Sequence, residues 1–208
     1  MATVATRRSV MVLYSDPSGP IGHSVRIVLA DKGINVEIKY VDNDVRPEEL
    51  VDLNPYNAIL TLIDRELVLY DAQIMMEYLD ERFPHPPLMP VDPVSRANNR
   101  QLRYRVMRDL YGLVPDLAGA NEIAAANARK TLRDNLTAIA PMFSQKQYFM
   151  SDEYSLVDCC MAPLLWRLGH YGVKLPSSAK PLFTYGEKLF ERDAFQASLS
   201  DVEKELAS

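Results

Sequence analysis

The chain has 208 residues, 48% of them hydrophobic and 25% charged, which suits a globular protein with one large core or two small ones. Its net charge is −5 and its pI about 5.3, so it gains no general attraction to a phosphate backbone, and direct sequence-specific nucleic-acid binding is not expected. No run reaches membrane-span length, "MATVATRRSVMVLYSD" lacks a signal-peptide core, and the adjacent Cys159 and Cys160 suit neither an unstrained disulfide nor a metal site, so a cytoplasmic protein with reduced thiols, no metal and no membrane partner is expected.

In chain order, residues 9–14, from Ser9 to Tyr14, form a short apolar run that predicts a strand. A helix over about 23–32 follows, with Gly33 as its left-handed stop. "VEIKYV", 36–41, alternates and is a second strand; "RPEELVDL", 46–53, is a short helix with Pro47 in its first turn. "LTLID" and "ELVLY" read as two strands joined by a tight turn at Asp64-Arg65. "DAQIMMEYLDERF", 71–83, places Ile74, Met75, Tyr78 and Leu79 on one helical face, with Met76 turned to the neighbouring layer. The order β-α-β-α-β-β-α is a thioredoxin-like topology.

"PHPPLMPVDP", 84–93, holds five prolines in ten residues. It can be neither helix nor central strand and predicts a linker. The expected division is a thioredoxin-like domain over 1–85, a linker over 86–95 and an all-helical domain over 96–208. In that domain Leu102, Val106, Leu110, Leu113, Val114 and Leu117 form one apolar stripe, and Leu132, Leu136, Ile139 and Phe143 form another. "YSLVDCCMAPLLWRLGHYG", 154–172, opens with a capping box, Ser155 at N-cap and Asp158 at N3, and Tyr154 placed to staple against Cys159. Core packing is the expectation for Trp166. Helices over about 178–191 and 193–198 close the chain.

This arrangement resembles the glutathione transferase fold over nearly the whole chain. Three segments resemble the stringent starvation protein A family more closely: "HSVRIVLADKG", "DLNPYNAILTLIDRELVLYDAQIMMEYLDERFPHPPLMP" and "FMSDEYSLVDCCMAPLLWRL". "YLDERFPHPPLMP" is the most specific of them. The resemblance implies a non-enzymatic bacterial regulator without cofactor. Such a protein would bind RNA polymerase holoenzyme, including its sigma factor, in starvation, stationary phase or acid stress. It also implies a two-fold dimer, of identical chains or with a paralogue, in which the N-domain of one chain meets helices 4 and 5 of the other.

The alternative is a glutathione-dependent transferase or peroxidase. Such an enzyme needs a hydroxyl or thiol at the start of helix 1, where the helix dipole favours a thiolate. Counting back from Arg26, that position is Gly19, and Gly22 holds the second reactive position of the redox members. Ser15, Ser18 and Tyr14 lie near enough to substitute, although turn roles for the serines are the plainer reading. The fold also needs a cis-proline before its third strand, where this chain has Leu60; a cis bond there would cost about 2.5–4 kcal/mol, so a trans bond is expected. The acidic-Ser pair that takes a γ-glutamyl group is Asp71-Ala72, and Asp71 can equally cap its own helix. His23, His85 and His170 are scattered, with no nucleophile or metal spacing around them.

A binding surface is therefore the sharper candidate. Pro84, His85, Pro86 and Pro87 are either a stiff interdomain spacer or an extended ridge with His85 pointing outward, bound without an ordering cost. The resemblance assigns this segment to the polymerase-contacting surface, although family members often carry an aromatic where this chain has Asp92. Arg96, Arg100, Arg103, Arg105 and Arg108 precede any acidic residue until Asp109. They read as a solvated face, a dimer-interface set, or a patch for an acidic protein or a small anion such as an alarmone nucleotide.

Overall fold

The computed structural model describes residues 10–42, 46–56 and 58–206; Ser9, the expected start of the first strand, lies outside them. The first half runs β1 (Met11–Ser15), α1 (Pro20–Asp31), β2 (Val36–Tyr40), α2 (Glu48–Leu53), β3 (Thr61–Asp64), β4 (Leu67–Leu69) and α3 (Ala72–Arg82). The sheet order is β2-β1-β3-β4. β1 pairs parallel with β2 from Met11↔Val36 and antiparallel with β3 through Leu13↔Leu62. Being central, β1 is buried on both faces. Met11 and Leu13 join the main core, while Val12 and Tyr14 pack with Leu50, Ile59 and Ile63 in a smaller core on the other face.

Several boundaries differ from the sequence expectation for local reasons. α1 begins at Pro20 rather than His23, because a proline at the first helical position gives up an amide that would be unpaired anyway. Pro47 caps α2 from outside instead of sitting in its first turn. The β3–β4 turn is Arg65-Glu66, one residue later than expected, since Asp64 pairs with Leu67 and Arg65 takes the positive φ of 57°. On α3, Ile74 is 57% exposed; the buried stripe is Ala72, Met75, Met76 and Leu79, at i, i+3, i+4 and i+7.

α4 (Pro93–Arg105) starts from Asp92, whose carboxylate caps it by accepting from the Ser95 amide at 2.9 Å. The expected single stripe from Leu102 to Leu117 is a helix that changes register: a π-helical turn over Val106–Leu110, a 3₁₀ turn over Tyr111–Leu113, then α5 (Val114–Ala118). Pro115 cannot donate into a continuous α ladder. α6 (Glu122–Ile139) buries Leu132 and Leu136. α7 (Leu156–Trp166) has the expected capping box, the Asp158 carboxylate accepting from the Ser155 amide at 2.8 Å. The Cys159 thiol meets the Tyr154 hydroxyl at 3.3 Å, as the staple requires. α7 stops at Trp166, where carbonyls of its last turn are taken by the Arg167 and Leu168 amides. α8 (Lys180–Phe190), α9 (Asp193–Ser198) and an unanticipated α10 (Asp201–Glu205) complete the fold. Among the described residues no helix is long and apolar enough to cross a membrane.

Candidate functional site

The turn into α1, where the transferase alternative would need its activating hydroxyl, is held by Asp16. Asp16 Oδ1 accepts from the Ser18 amide at 2.7 Å, the Ser18 hydroxyl at 2.9 Å and the Gly19 amide at 3.1 Å. A fixed carboxylate thus sits beside the N-cap of α1, where it would repel a second anion. A side chain at position 19 would begin 3.3 Å from Asp16 Cβ and Cγ. At Gly22 a Cβ would fall 2.5 Å from the Ser15 hydroxyl oxygen, so glycine is what lets that hydroxyl tuck under the helix. The three substitute hydroxyls are all engaged. Ser15 donates to the Asp16 carbonyl at 3.1 Å, Ser18 to the Asp16 carboxylate, and Tyr14 to Glu49.

The other two glutathione positions follow the same course. The Ile59–Leu60 peptide is trans, as expected for a non-proline bond; the cis bond among the described residues is His85–Pro86. Asp71 spends its carboxylate capping α3, accepting from the Gln73 and Ile74 amides at 2.9 and 3.0 Å. Ala72 is buried against the core.

Pro84, His85, Pro86 and Pro87 are all exposed, between the end of α3 and the buried Leu88 and Met89. The chain there is bent at His85 and Pro86, not extended as the sequence suggests, because an X–Pro bond admits the cis form at small cost. Its base is clamped. Buried Lys32 Nζ donates to Asp80 Oδ1 at 2.7 Å and to the Pro86 carbonyl. The same Asp80 oxygen accepts from the Leu88 amide at 2.8 Å, and the Leu88 carbonyl accepts from the Leu156 amide at 2.9 Å. The segment is a fixed ridge, stitched to both halves of the molecule, with its four side chains left in solvent.

The five arginines, which read from sequence as a solvated face, a dimer set or an anion patch, each have a partner within the chain. Arg100 grips Glu77 of α3 in two parallel bonds, 3.0 and 2.7 Å. Arg103 is 2% exposed; it also pairs with Glu77, and donates to Gln73 at 2.7 Å and Asn99 at 3.1 Å. Arg96 meets Glu81 at 3.5 Å and Arg105 meets Asp109 at 3.7 Å. Arg108 donates to the Tyr104 hydroxyl at 3.2 Å. The first three arginines tie α4 to α3. Their partners belong to another helix, so the pairing was invisible in a linear reading.

The Arg100 guanidinium, joined by that of Arg103, holds the Glu77 carboxyl at about 2, against an ordinary value of 4.5. A depressed carboxylate adds stability that is fully present above its unfolded pKa and fades as pH falls through the folded one. Between about pH 4.5 and 2, the wild type should therefore lose melting temperature faster than Glu77→Gln. Parallel pH–melting curves in that window would contradict this.

The comparisons with known proteins give the fold and the family. A domain profile described as "Glutathione S-transferase, N-terminal domain" matches residues 13–87, and "Glutathione S-transferase, C-terminal domain" matches 99–193. A glutathione transferase crystal structure from Methylococcus capsulatus superimposes with a TM-score of 0.83 at 22% identity, covering 94% of this chain and 99% of that one. The stringent starvation protein A homolog of Coxiella burnetii is 49% identical over 201 residues, 96% of each chain. That of Pasteurella multocida is 48% identical over 200 residues, 96% of this chain and 94% of its own. The chain belongs to the stringent starvation protein A family.

In this stringent starvation protein A family member, a fully buried ionic cluster was missed by sequence reasoning. Glu203 of α10 receives Arg26 of α1 on both oxygens, at 2.8 and 2.7 Å, and Arg167 beside it. His23 lies in the same pocket. Its Nε2 meets the Ser198 hydroxyl at 2.9 Å, and Ser198 passes its own proton to the Phe195 carbonyl at 2.7 Å. Its Nδ1 faces an Arg167 nitrogen at 3.2 Å. This chain of donors fits only the neutral, Nε2-protonated imidazole. Burial, with Arg26 and Arg167 nearby, pushes its pKa well below the ordinary value. Two signals were available in the sequence: a histidine and an arginine three apart on the apolar "HSVRIVLA", and the Ser200-x-x-Glu203 capping box.

Proposed function

We propose that this protein is a non-enzymatic, cytoplasmic regulator of transcription that binds RNA polymerase holoenzyme, sigma factor included, through the Pro84, His85, Pro86 and Pro87 ridge, in starvation, stationary phase or acid stress. The observation that carries this reading is the ridge itself. Four solvent-facing side chains sit on a backbone fixed by Lys32, Asp80 and Leu88, so a partner meets a preformed surface and loses little entropy in ordering it. Family membership supplies the class of partner. The test is co-purification: the tagged chain should bring down holoenzyme from stationary-phase cells, and recovery of the chain without polymerase would contradict the reading.

The transferase alternative is favoured by the two matching transferase domain profiles and by distant relatives named as a transferase and an isomerase. The Asp16 carboxylate at the α1 terminus and the spent Asp71 cap oppose it. No cofactor is needed by the proposed role. Conjugation of glutathione to a generic electrophile should stay at background. Turnover on the order of 1 per second or more, the ordinary enzyme range, would restore the alternative.

The functional unit in this proposal is a two-fold dimer, of identical chains or with a paralogue. Tyr56 is 77% and Ile74 57% exposed, and with Leu67 and Tyr70 they leave the β4–α3 edge apolar in solvent. A groove between α4 and α6 is walled by Leu102, Val106, Ile139, Met142 and Phe149. Apolar side chains on one element and an apolar groove on another suit a closed pairing of copies. Sedimentation at micromolar concentration should give the two-chain mass; a monomer mass, with no paralogue restoring the pair, would contradict it.

A further inference from the structure

One concavity stands apart by its charge. It encloses about 280 Å³ between Arg129, Lys130 and Arg133 of α6 and the Gly172, Val173 and Lys174 loop. Arg129, Lys130 and Arg133 share the face of α6 that also carries Ala126, at i, i+3, i+4 and i+7 spacing. Four cations therefore converge on one small surface of a protein whose net charge is −5. Like charges four apart on a helix work against it, and no carboxylate lines the concavity to offset them.

The neighbouring carboxylates are not strong competitors. Arg129 meets Glu122 at 3.3 Å and Arg133 meets Asp134 at 3.1 Å, with carboxylate side chains 87% and 55% exposed; such surface pairs hold weakly. Lys130 and Lys174 make no ion pair among the described residues. The opposite wall is fixed by backbone. Gly172 takes φ +69°, and a Cβ there would sit 3.6 Å from Arg129 Cδ, so the turn lies directly against the arginine stem. The Val173 amide bonds to the Leu168 carbonyl at 2.9 Å, which holds Lys174 in place across from α6.

We propose that Arg129, Lys130, Arg133 and Lys174 form a binding site for a compact polyphosphate anion, either free inorganic polyphosphate or the phosphate chain of a nucleotide. Two planar guanidinium forks and two ammonium groups match oxygens of adjacent phosphates. Ala126 and Val173 are the only apolar side chains of the wall, and no aromatic offers a base a stacking surface. Recognition is therefore of the phosphate chain. The proposal stands apart from polymerase binding and uses none of the ridge residues.

Calorimetric titration of the full chain with inorganic triphosphate and, separately, ATP tests it. Both should bind once per chain and weaken as salt approaches about 0.15 M, where screening becomes strong. Tighter binding of triphosphate would point to the inorganic source, and tighter binding of ATP to a nucleotide. Arg129→Gln with Arg133→Gln should weaken both at least tenfold. Lys174→Gln, outside any helix, should weaken them with the melting temperature unchanged. Lys180→Gln with Lys188→Gln, on a separate lysine-lined hollow beside Lys146, should leave affinity intact. Absence of saturable triphosphate binding overturns the proposal, as does loss only in the Lys180 and Lys188 variant. Failure to bind triphosphate together with weakened polymerase association in the arginine variant would assign the patch to an acidic protein surface instead.

Discussion

Glu203→Gln should destabilise this protein by about 3–5 kcal/mol, the usual cost of removing one partner from a buried ion pair. Glu203 is fully buried, and Arg26 and Arg167 are each 1% exposed. The substitution leaves two guanidinium groups out of water with no counter-charge. The loss reaches across the molecule, because these three residues join α1, the end of α7 and α10. Arg26 also donates to the Ser198 carbonyl at 2.5 Å, Arg167 to the Ser18 carbonyl at 3.0 Å, and Ser200 to the Pro17 carbonyl at 2.5 Å. Since whole domains are stable by only about 5–15 kcal/mol, the variant should melt far below the wild type or fail to fold at growth temperature. Urea unfolding gives the difference directly. A loss under about 1 kcal/mol would mean that water reaches the site and that this hub does not join the two halves.

The second large effect falls on binding. Changing Pro84, His85 and Pro86 together to Ala should cost about 1 kcal/mol of stability or less, since the removed side chains are exposed. The clamp beneath them, Lys32 to Asp80 and Asp80 to the Leu88 amide, uses none of the removed atoms. Polymerase affinity should fall by about 2 kcal/mol or more, roughly thirtyfold, because a few rigid central contacts carry most of an interface. A titrated gel shift with purified holoenzyme, alongside a melting curve, separates the two effects. Normal binding by the folded variant would reduce the segment to a spacer. A large loss of stability would show that the ridge holds the domains together.

Much of the fold was legible because it rests on local signals. The order β-α-β-α-β-β-α, the helix stop at Gly33, and the Ser155 and Asp158 box each lie within a few residues of chain. What the sequence hid depends on residues far apart. Arg103 reads as one of five surface arginines until Glu77 of α3 closes on it. Glu203 reads as a charge near the end of the chain until α10 folds onto α1. Asp16 lies four residues ahead of α1 in the chain, yet its carboxylate takes the Ser18 hydroxyl and the Gly19 amide at the start of that helix. The bend at His85 and Pro86 lay in a tolerance of proline that composition does not decide. In the candidate site, the loss of a hydroxyl at Gly19 and Ala72 was visible by residue type alone. That the remaining hydroxyls of Tyr14, Ser15 and Ser18 are all engaged needed coordinates.

The central claim is that the ridge touches polymerase, and site-directed photocross-linking measures that contact itself. A benzophenone amino acid placed at position 85, irradiated in a reconstituted complex with holoenzyme, should join this chain to a polymerase or sigma subunit. The same probe at position 202, where Val202 is 44% exposed on α10, should yield no such product. Cross-linking from position 202 with none from position 85 would contradict the account and move the contact surface to another face of the molecule.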